Sequence, residues 1–337
     1  MAPIVEALYR YAVKGLDRDA LETVALVPNR GLPKDREWAL HFEEPPIAND
    51  PNVPLTRFHS QAPAWTHKSN FLCAYTAGEL LATFETRYSD ATDELTVCRR
   101  ADGESLLVAR LTDADERERV ETFFSDASSR GVRLVRPADN RPHHFGNTNA
   151  GFRVGDAGGY VLHIVNLETI AALNKATGNT FEPSRFRPNI VISGVPAWAE
   201  FDWVGSTIRV GGATLEVLKR TVRCDAINVD GHEDLGNALR HLRSAQRPDV
   251  PGLLSKHFPE HGPYLGIYAR VVEGGSVRVG DALQPPPSPM FSIDPRGWSM
   301  KAKAIAAITL ATLLLPLLAR RDRLLLPPYA ALAQRSK

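Results

Sequence analysis

Cysteine is scarce in this chain: Cys73, Cys98 and Cys224 are the only three in 337 residues. An odd number at wide spacing excludes a disulfide framework and a C-x-x-C zinc or redox site. Three scattered thiols also cannot build a [2Fe–2S] centre, which needs four closely organised ligands. We therefore expect an intracellular, reducing compartment, and simple core packing for Cys73 and Cys98, which lie in apolar segments.

An excess of charge and the common catalytic motifs are also missing. The formal net charge is +1, so no broad basic field exists to gather nucleic acid, and we expect no nucleic-acid partner. The sequence contains no G-x-G-x-x-G, G-x-x-x-x-G-K-[ST], H-E-x-x-H or G-x-S-x-G. These absences exclude the common nucleotide-binding, zinc-protease and serine-hydrolase classes.

Long apolar runs are absent except near the carboxyl terminus. The amino-terminal residues lack the basic segment and long apolar run of a signal peptide. Residues 304–319 carry no charge and are flanked by lysines and arginines. As a helix this segment spans ~24 Å against a hydrocarbon core of ~30 Å, and snorkelling of the flanking cations extends its reach. We expect a membrane anchor or interfacial helix there; a helix packed on the protein or on a partner is the alternative.

The pattern of elements predicts an α+β fold with a β-barrel-like architecture, because short strands are many and no regular βαβ alternation occurs. We expect a smaller, mostly-β domain over 1–135, the main domain over 136–284, and a linker and apolar tail over 285–337. Local patterns predict a strand at 71–75, hairpins at 207–219 and 269–279, and helices at 167–175 and 234–244.

Cys224 follows the predicted strand at 213–219 and has cations around it, at Lys219, Arg220 and Arg223 and in the segment 185–187. Cations favour the thiolate form of a cysteine, which is both a nucleophile and a soft metal ligand. The segment therefore predicts a reactive thiolate or a metal ligand. The alternative is a buried cysteine that acts as a small hydrophobic residue.

Several segments, in order, resemble the MOSC family, the domain family of the molybdenum cofactor sulfurase carboxyl terminus and the mitochondrial amidoxime-reducing component. The resemblance rests on YAVKGL at 11–16, DREW at 35–38, the segment 163–174, RPNIV at 187–191, RC at 223–224, YLGIY at 264–268 and VGD at 279–281. It implies a β-barrel-like MOSC domain preceded by a smaller MOSC amino-terminal domain.

The resemblance also implies a molybdenum cofactor, a metal-bearing pyranopterin with a phosphate group, bound between the two halves of the chain. Cys224 stands where the family has its catalytic metal ligand. The positions that match cofactor-binding residues are Lys14, Arg36, Asn166, Thr169, Arg187, Asn189, Arg223 and Tyr268. Core packing is an equal alternative for Tyr268. An amino-terminal helix end after Asn166 would offer backbone N–H groups to a phosphate. Gly15 stands for a common Ser, Asn166 for Thr, and Thr221 for a second cysteine.

The function implied by the resemblance is a molybdenum oxidoreductase that reduces N-hydroxylated compounds. Electrons would come from a separate haem or iron–sulfur protein and its reductase, since this chain cannot build an iron–sulfur centre. Alternatives are a non-catalytic cofactor carrier, a sulfur carrier with a persulfide on Cys224, or an anchored interaction protein. The chain is too short to include a pyridoxal-phosphate desulfurase domain, so we do not expect a complete sulfurase.

Overall fold

The computed structural model describes residues 2–44, 68–136, 161–229 and 248–287. The chain divides into compact units over Met1–Pro286 and Pro287–Lys337, and the first contains all but one of these residues. The predicted helix at 234–244 and the apolar segment 304–319 lie outside the described residues. Within the described ranges, no helix combines the length and apolarity needed to cross a membrane. The domain boundaries after residues 135 and 284 stay predictions.

Sixteen strands and four α-helices make up the described part of the chain. In chain order they are β1 (Ile4–Arg10), β2 (Asp19–Leu21), β3 (Thr23–Leu26), β4 (Ala39–Phe42), β5 (Phe71–Leu72), α1 (Ala74–Ala82), β6 (Phe84–Ser89), β7 (Glu94–Arg99), β8 (Ser105–Arg110), α2 (Ala114–Ser128), β9 (Val132–Val135), β10 (Leu162–Asn166), α3 (Leu167–Thr177), β11 (Ile190–Ser193), β12 (Thr207–Val210), β13 (Ala213–Val222), α4 (Val250–His257), β14 (Tyr264–Glu273), β15 (Gly275–Arg278) and β16 (Leu283–Gln284).

An eight-stranded sheet is the centre of the fold, with strand order β16-β12-β13-β14-β10-β11-β1-β2. Only β10 and β11 are parallel; every other neighbouring pair is antiparallel. Side chains alternate between buried and exposed along β12 and between buried and half-buried along much of β13, so one face packs on the main core. The sheet curls into a half-barrel, which confirms the predicted α+β, β-barrel-like class.

A second core lies under two three-stranded sheets, β5-β4-β9 and β6-β7-β8, and is covered by α2. Asp113 caps α2 by accepting hydrogen bonds from the N–H groups of Asp115 and Glu116. The first three strands do not stay with this core: β1 pairs with β11, and β3 pairs with β15. The amino-terminal segment therefore ties the two halves of the chain together.

Local predictions were confirmed where the structure depends only on residues close together in the sequence. The hairpin of β12 and β13 and the α3 helix, with Asn166 as its cap and Gly178 at its end, are both present. The predicted hairpin at 269–279 was wrong, because β15 leaves β14 and pairs with β3 some 250 residues earlier in the chain. The predicted strand at 71–75 ends at Leu72, because Thr76 Oγ1 accepts a hydrogen bond from the Cys73 N–H at 3.0 Å and starts α1.

Gly15 lets the amino-terminal segment meet the start of α1 at close range. Its φ is +91°, and a Cβ there would lie 2.6 Å from the Cys73 Cα. Backbone atoms at that distance cannot yield without moving α1. The close approach therefore fixes the distance between the segment that contains Lys14 and the helix that Cys73 begins.

We predict that Gly15→Ala lowers the free energy of unfolding by several kcal/mol, because it adds a backbone clash to the cost of a positive φ. Gly103→Ala is the matched control, since Gly103 has φ +75° and open space around its Cα; it should cost only about 1–2 kcal/mol. Urea unfolding of both variants measures the difference. Equal losses would show that α1 does not depend on this contact.

Candidate functional site: a half-buried cluster of cations

Two guanidinium groups from distant parts of the chain face the ring of Tyr11. The guanidinium carbons of Arg36 and Arg187 lie 4.8 and 4.2 Å from the ring centroid. The Tyr11 side chain is 1% exposed, so both cation–π contacts form with little water around them. This ring therefore joins the segment 11–16 to the R-P-N segment, two of the segments on which the resemblance rests.

Backbone geometry holds both arginines in place. Arg36 and Arg187 adopt positive φ angles of 50° and 52°, which bulky residues rarely take. Arg36 Nη2 donates to the Arg187 carbonyl at 3.3 Å, and Arg187 Nη2 donates to the Leu16 carbonyl at 2.8 Å. Arg36 also forms an ion pair with Asp35. The strained backbone and its hydrogen bonds aim two long cationic side chains at one point.

Lys14, Arg36, Arg187 and Arg223 form what we call the cation cluster. Burial lowers the pKa of Lys14, and the nearby Arg36 and Arg187 lower it further. Burial likewise lowers the pKa of Arg187 and of Arg223. Arg36 differs: burial lowers its pKa, but Asp35 and Tyr11 more than offset this and leave it raised. Three of the four cations thus lie where positive charge is disfavoured, and a bound anion would relieve that cost.

His163 belongs to this site, although the sequence did not single it out. Its ring is 4% exposed, with Nδ1 3.3 Å from the Arg187 carbonyl and Nε2 3.5 Å from Arg223 Nη1. Nε2 also lies 3.4 Å from the Leu265 carbonyl. A neutral imidazole has one N–H, and only the Nδ1–H tautomer satisfies both Arg187 and Arg223. His163 therefore connects the R-P-N loop to the end of β13.

Gly266 makes room for this imidazole. Its φ is +78°, and a Cβ there would lie 2.6 Å from His163 Nε2 and 2.5 Å from the Ile164 carbonyl. Tyr268 lies on the same strand, with its ring 5.4 Å from that of His163. The only sequence signal for this arrangement is a histidine inside an apolar strand opposite the Y-L-G-I-Y segment, and that signal does not specify its partners.

Cys224 lies at the edge of the cation cluster. It is a half-buried free cysteine with extended backbone, φ −133° and ψ 174°, directly before a short 3-10 helix, Asp225–Ile227. Arg223 is anchored just before it, because its N–H donates to the Pro263 carbonyl at 2.8 Å and its Nη2 to the Phe186 carbonyl at 3.0 Å. The Lys14 ammonium lies close enough to Cys73 and Cys224 for both thiols to affect its pKa.

A cleft opens beside the cluster, between α1 and the segments 184–187 and 226–229. Its empty volume is about 460 Å³, including the part open to solvent. The residues that line it are Tyr11, Gly15, Asp17, Arg18, Ala74, Gly78, Leu81, Ala82, Ser184, Arg185, Arg187, Ala226 and Val229. Lys14 and Cys224 do not line the cleft themselves, but Gly15 and Ala226 place them next to it along the chain.

The predicted site residues fall into two groups. Arg36, Arg187, Arg223, Lys14, Cys224 and Tyr268 come together, and Asn189 joins them through its Oδ1, which accepts a hydrogen bond from the His163 N–H at 3.1 Å. The structure does not bring Asn166 and Thr169 into this group. Both donate to the buried carboxylate of Glu200, with Thr169 Oγ1 2.9 Å from Oε1 and Asn166 Nδ2 3.0 Å from Oε2.

The amino-terminal end of α3 is therefore not free for a phosphate. Burial raises the pKa of Glu200, and Glu168 Oε1 accepts a hydrogen bond from the Gly194 N–H at 2.8 Å nearby. Two acidic side chains already lie where the helix dipole favours negative charge. Three strand positions, or about 10 Å, also separate Asn166 from His163 at the cationic end of β10.

The profile of one domain family, described as MOSC domain, matches residues 140–284. The chain contains a MOSC domain. The mitochondrial amidoxime-reducing component 1 of Mus musculus is 28% identical over 300 residues, which cover 83% of this chain and 81% of that protein. The component 2 of Rattus norvegicus is 30% identical over 125 residues, 36% of each chain. The molybdenum cofactor sulfurase of Oryza sativa subsp. japonica is 28% identical over 142 residues, 36% of this chain and 16% of that protein.

The matches to the rat and rice proteins span only about a third and a sixth of those chains. The MOSC segment contains His163, Arg187, Arg223, Cys224 and Tyr268, whereas Lys14 and Arg36 precede it. No group of three or more His, Cys, Asp or Glu side chains that could hold a metal ion occurs within the described ranges.

We predict that the free energy of unfolding falls as the pH drops below about 6.5, the ordinary pKa of histidine, and that His163 contributes to this loss. Burial and the nearby Arg223 hold the pKa of His163 well below its ordinary value. Below about pH 6.5, the histidine therefore binds a proton in the unfolded chain but not in the folded chain. The slope from one histidine is at most ~1.4 kcal/mol per pH unit.

His163→Gln should make the profile of unfolding free energy against pH shallower between about pH 5 and pH 6.5. His41→Gln is the matched control: burial also lowers the pKa of His41, but no nearby cation adds to the shift, so a smaller part of the slope should disappear. Urea unfolding at several pH values measures both. Parallel profiles for wild type and His163→Gln would contradict the assignment.

Proposed function

We propose that this chain binds a molybdenum–pterin cofactor, with Cys224 as the protein ligand to the metal, and that it reduces N-hydroxylated compounds. The MOSC domain and the named relatives support a function related to the molybdenum cofactor. The observation that carries the proposal is the cation cluster: three of its four half-buried cations, Lys14, Arg187 and Arg223, have lowered pKa values, and a bound anion would stabilise their charges. A phosphorylated pterin next to a soft thiolate fits this donor set.

The residues of the cluster would divide the work of binding. Arg36 and Arg187 supply planar guanidinium donors that match a phosphate or the polar edge of a pterin. Arg223 is held by His163 and by the Phe186 carbonyl, directly before the thiol of Cys224. Tyr268 adds an aromatic ring beside His163, with 5.4 Å between the two ring centroids. Thus the protein orients one end of the ligand with charge and the other with sulfur.

When bound, such a cofactor supplies two-electron redox chemistry at molybdenum. Reduction of an N-hydroxyl group breaks the N–O bond, releases the oxygen as water, and consumes two electrons and two protons. The three cysteines of this chain cannot hold an iron–sulfur centre, so the electrons would come from a separate haem or iron–sulfur protein. A reducing intracellular compartment belongs to the proposal, because it keeps the thiol of Cys224 available as a ligand.

A carrier of the cofactor, or of sulfur as a Cys224 persulfide, would use the same thiol. The similarity to a protein named molybdenum cofactor sulfurase supports this second candidate. A cofactor carrier should contain pterin yet fail to reduce an amidoxime with a chemical electron donor. A sulfur carrier should release sulfur on treatment with cyanide, and Cys224→Ser should abolish that release.

We predict that protein purified from a host that makes the cofactor contains nearly one molybdenum per chain, and that Cys224→Ala loses most of it. Cys98→Ala is the matched control, because Cys98 is also a half-buried free cysteine but lies on β7. Metal analysis and fluorescence of the oxidised pterin measure the two contents. Equal metal in wild type and Cys224→Ala would remove Cys224 from the coordination sphere.

Reductase activity gives a second readout of the same variants. Wild type and Cys98→Ala should reduce an amidoxime with a chemical electron donor, and Cys224→Ser should lose that activity while it keeps the wild-type melting temperature. Near-stoichiometric metal without turnover of any N-hydroxylated compound would favour the carrier.

We predict that Lys14→Met stabilises the cofactor-free protein by roughly 0.5–2 kcal/mol but lowers its cofactor content. The substitution keeps the length of the side chain and removes a charge that burial and two arginines disfavour. Lys256→Met, an exposed lysine on α4, is the control and should change neither quantity in this direction. Thermal unfolding measures the change in stability, and pterin analysis measures the change in cofactor content. A loss of stability in Lys14→Met would show that the cluster does not repel the lysine.

A further inference from the structure

Four aromatic side chains pack together next to β13, the strand that leads to Cys224. The His261 ring is nearly parallel to the indole of Trp198, with 4.5 Å between the centroids and 29° between the planes. Phe258 contacts the same indole at 4.7 Å, and Phe201 meets the His261 ring edge-on at 5.3 Å. These separations lie in the range where aromatic rings attract one another. We call these four residues the aromatic stack.

Trp198 is the most strongly fixed member of the aromatic stack. Its φ is +68°, which a bulky residue rarely adopts. Its N–H donates to Thr169 Oγ1 at 2.8 Å, and that hydroxyl donates in turn to the buried carboxylate of Glu200. Its indole packs against both the main core and the smaller core around α3 and α4. Trp198 therefore gives His261 a rigid surface on which to stack.

His261 lies in the short loop that joins α4 to β14, and this loop reaches the backbone next to Cys224. The His261 N–H donates to the Phe258 carbonyl at 2.9 Å, which closes a tight turn. Two residues later, the Pro263 carbonyl accepts a hydrogen bond from the Arg223 N–H at 2.8 Å. Because Arg223 directly precedes Cys224, the position of this loop constrains the backbone that presents the thiol.

The aromatic stack contacts β13 a second time, three residues before Arg223. The guanidinium carbon of Arg220 lies 4.6 Å from the centroid of the Phe201 ring. Phe201 is buried and also contacts His261, so a cation–π contact and an edge-on aromatic contact share one ring. The stack therefore holds the segment 220–223 at both ends, through Phe201 at one end and through the His261 loop at the other.

The His261 ring is uncharged at neutral pH. Burial lowers the pKa of His261 and the nearby Arg220 lowers it further, whereas Glu260 and Asp202 raise it and offset only part of the decrease. Glu260 Oε1 lies 3.7 Å from His261 Nε2. The stack thus uses the flat face of this ring and does not need its charge. A phenylalanine can supply such a face, but an alanine cannot.

We propose that His261 is a positioning residue for Cys224. Its stacking on Trp198 sets the loop, and the Pro263 carbonyl of that loop holds Arg223 next to the thiol. Because Cys224 is a metal ligand only under the function proposed above, the benefit to metal binding rests on that function. The constraint on the thiol does not, since it is made by the protein alone. Residues that orient a ligand in this way determine how well it binds a metal.

The first test measures how fast iodoacetamide alkylates Cys224 in cofactor-free protein, with each product assigned by peptide mass spectrometry. His261→Ala should raise the rate at Cys224 about threefold or more, because the backbone beside a half-buried thiol becomes freer to open. His261→Phe should restore the wild-type rate. Cys98, a half-buried cysteine on β7, is the internal control and should react equally fast in all variants.

His257→Ala is the matched control for the loss of a histidine. His257 is half-buried in the last turn of α4, just before the loop, and its replacement should leave the rate at Cys224 unchanged. Equal rates at Cys224 in wild type and His261→Ala would overturn the proposal. An equal rise at Cys98 would also overturn it, because the whole fold would then have loosened.

His261→Leu separates stacking from packing. Leucine fills much of the same volume without a flat face, so this variant should unfold at a urea concentration close to that of wild type. It should nevertheless show the faster alkylation at Cys224 that we expect of His261→Ala. A wild-type rate in His261→Leu would show that bulk alone is sufficient and would overturn the role of stacking.

Cofactor-loaded protein tests the consequence for the metal. His261→Ala should lose molybdenum severalfold faster than wild type during dialysis against a chelator, and His261→Phe should retain it. Equal losses would overturn the link to metal binding. Protein that contains no molybdenum from any host would refute the proposed function, whereas the alkylation rates would still decide whether His261 positions the thiol.

Discussion

Enclosed positive charge around Tyr11 is the constraint on which the other parts of this site depend. Two guanidinium groups at 4.2 and 4.8 Å from one buried ring come from positions 151 residues apart in sequence. Their mutual repulsion is tolerated only because carbonyl groups, Asp35 and the aromatic face compensate for part of it. The positive φ angles of both arginines and the close contact of Gly15 with Cys73 accompany this approach of the segments.

The short parallel strand β10 separates opposite charges. At one end His163 lies among cations and is kept neutral; at the other Asn166 and Thr169 donate to the buried carboxylate of Glu200. The dipole of α3 stabilises acidic groups at the second end, so an anionic ligand is favoured at the first end only. The strand thus gives a ligand an orientation before any specific contact is made.

A free cysteine, Cys224, lies at the edge of this positive region. Under the proposed function, Cys224 would supply the sulfur ligand from the protein, and the cofactor would bring the other ligands. In that proposal the protein binds the cofactor, and a separate partner supplies the electrons.

The sequence by itself determined whatever depends on near neighbours. The α+β class, the β12–β13 hairpin that leads to Cys224, and the Asp113 and Asn166 caps follow from local periodicity and capping chemistry. The ordered motifs also indicated Lys14, Arg36, Arg187 and Arg223 as a group.

Only the tertiary structure decided which of these groups meet. Residues distant in sequence meet in the pairing of β3 with β15, in the bridge made by His163, and in the hydrogen bonds from Asn166 and Thr169 to Glu200. Local patterns contain no information on such contacts, because burial and long-range hydrogen bonds arise only when the sheet closes over its core.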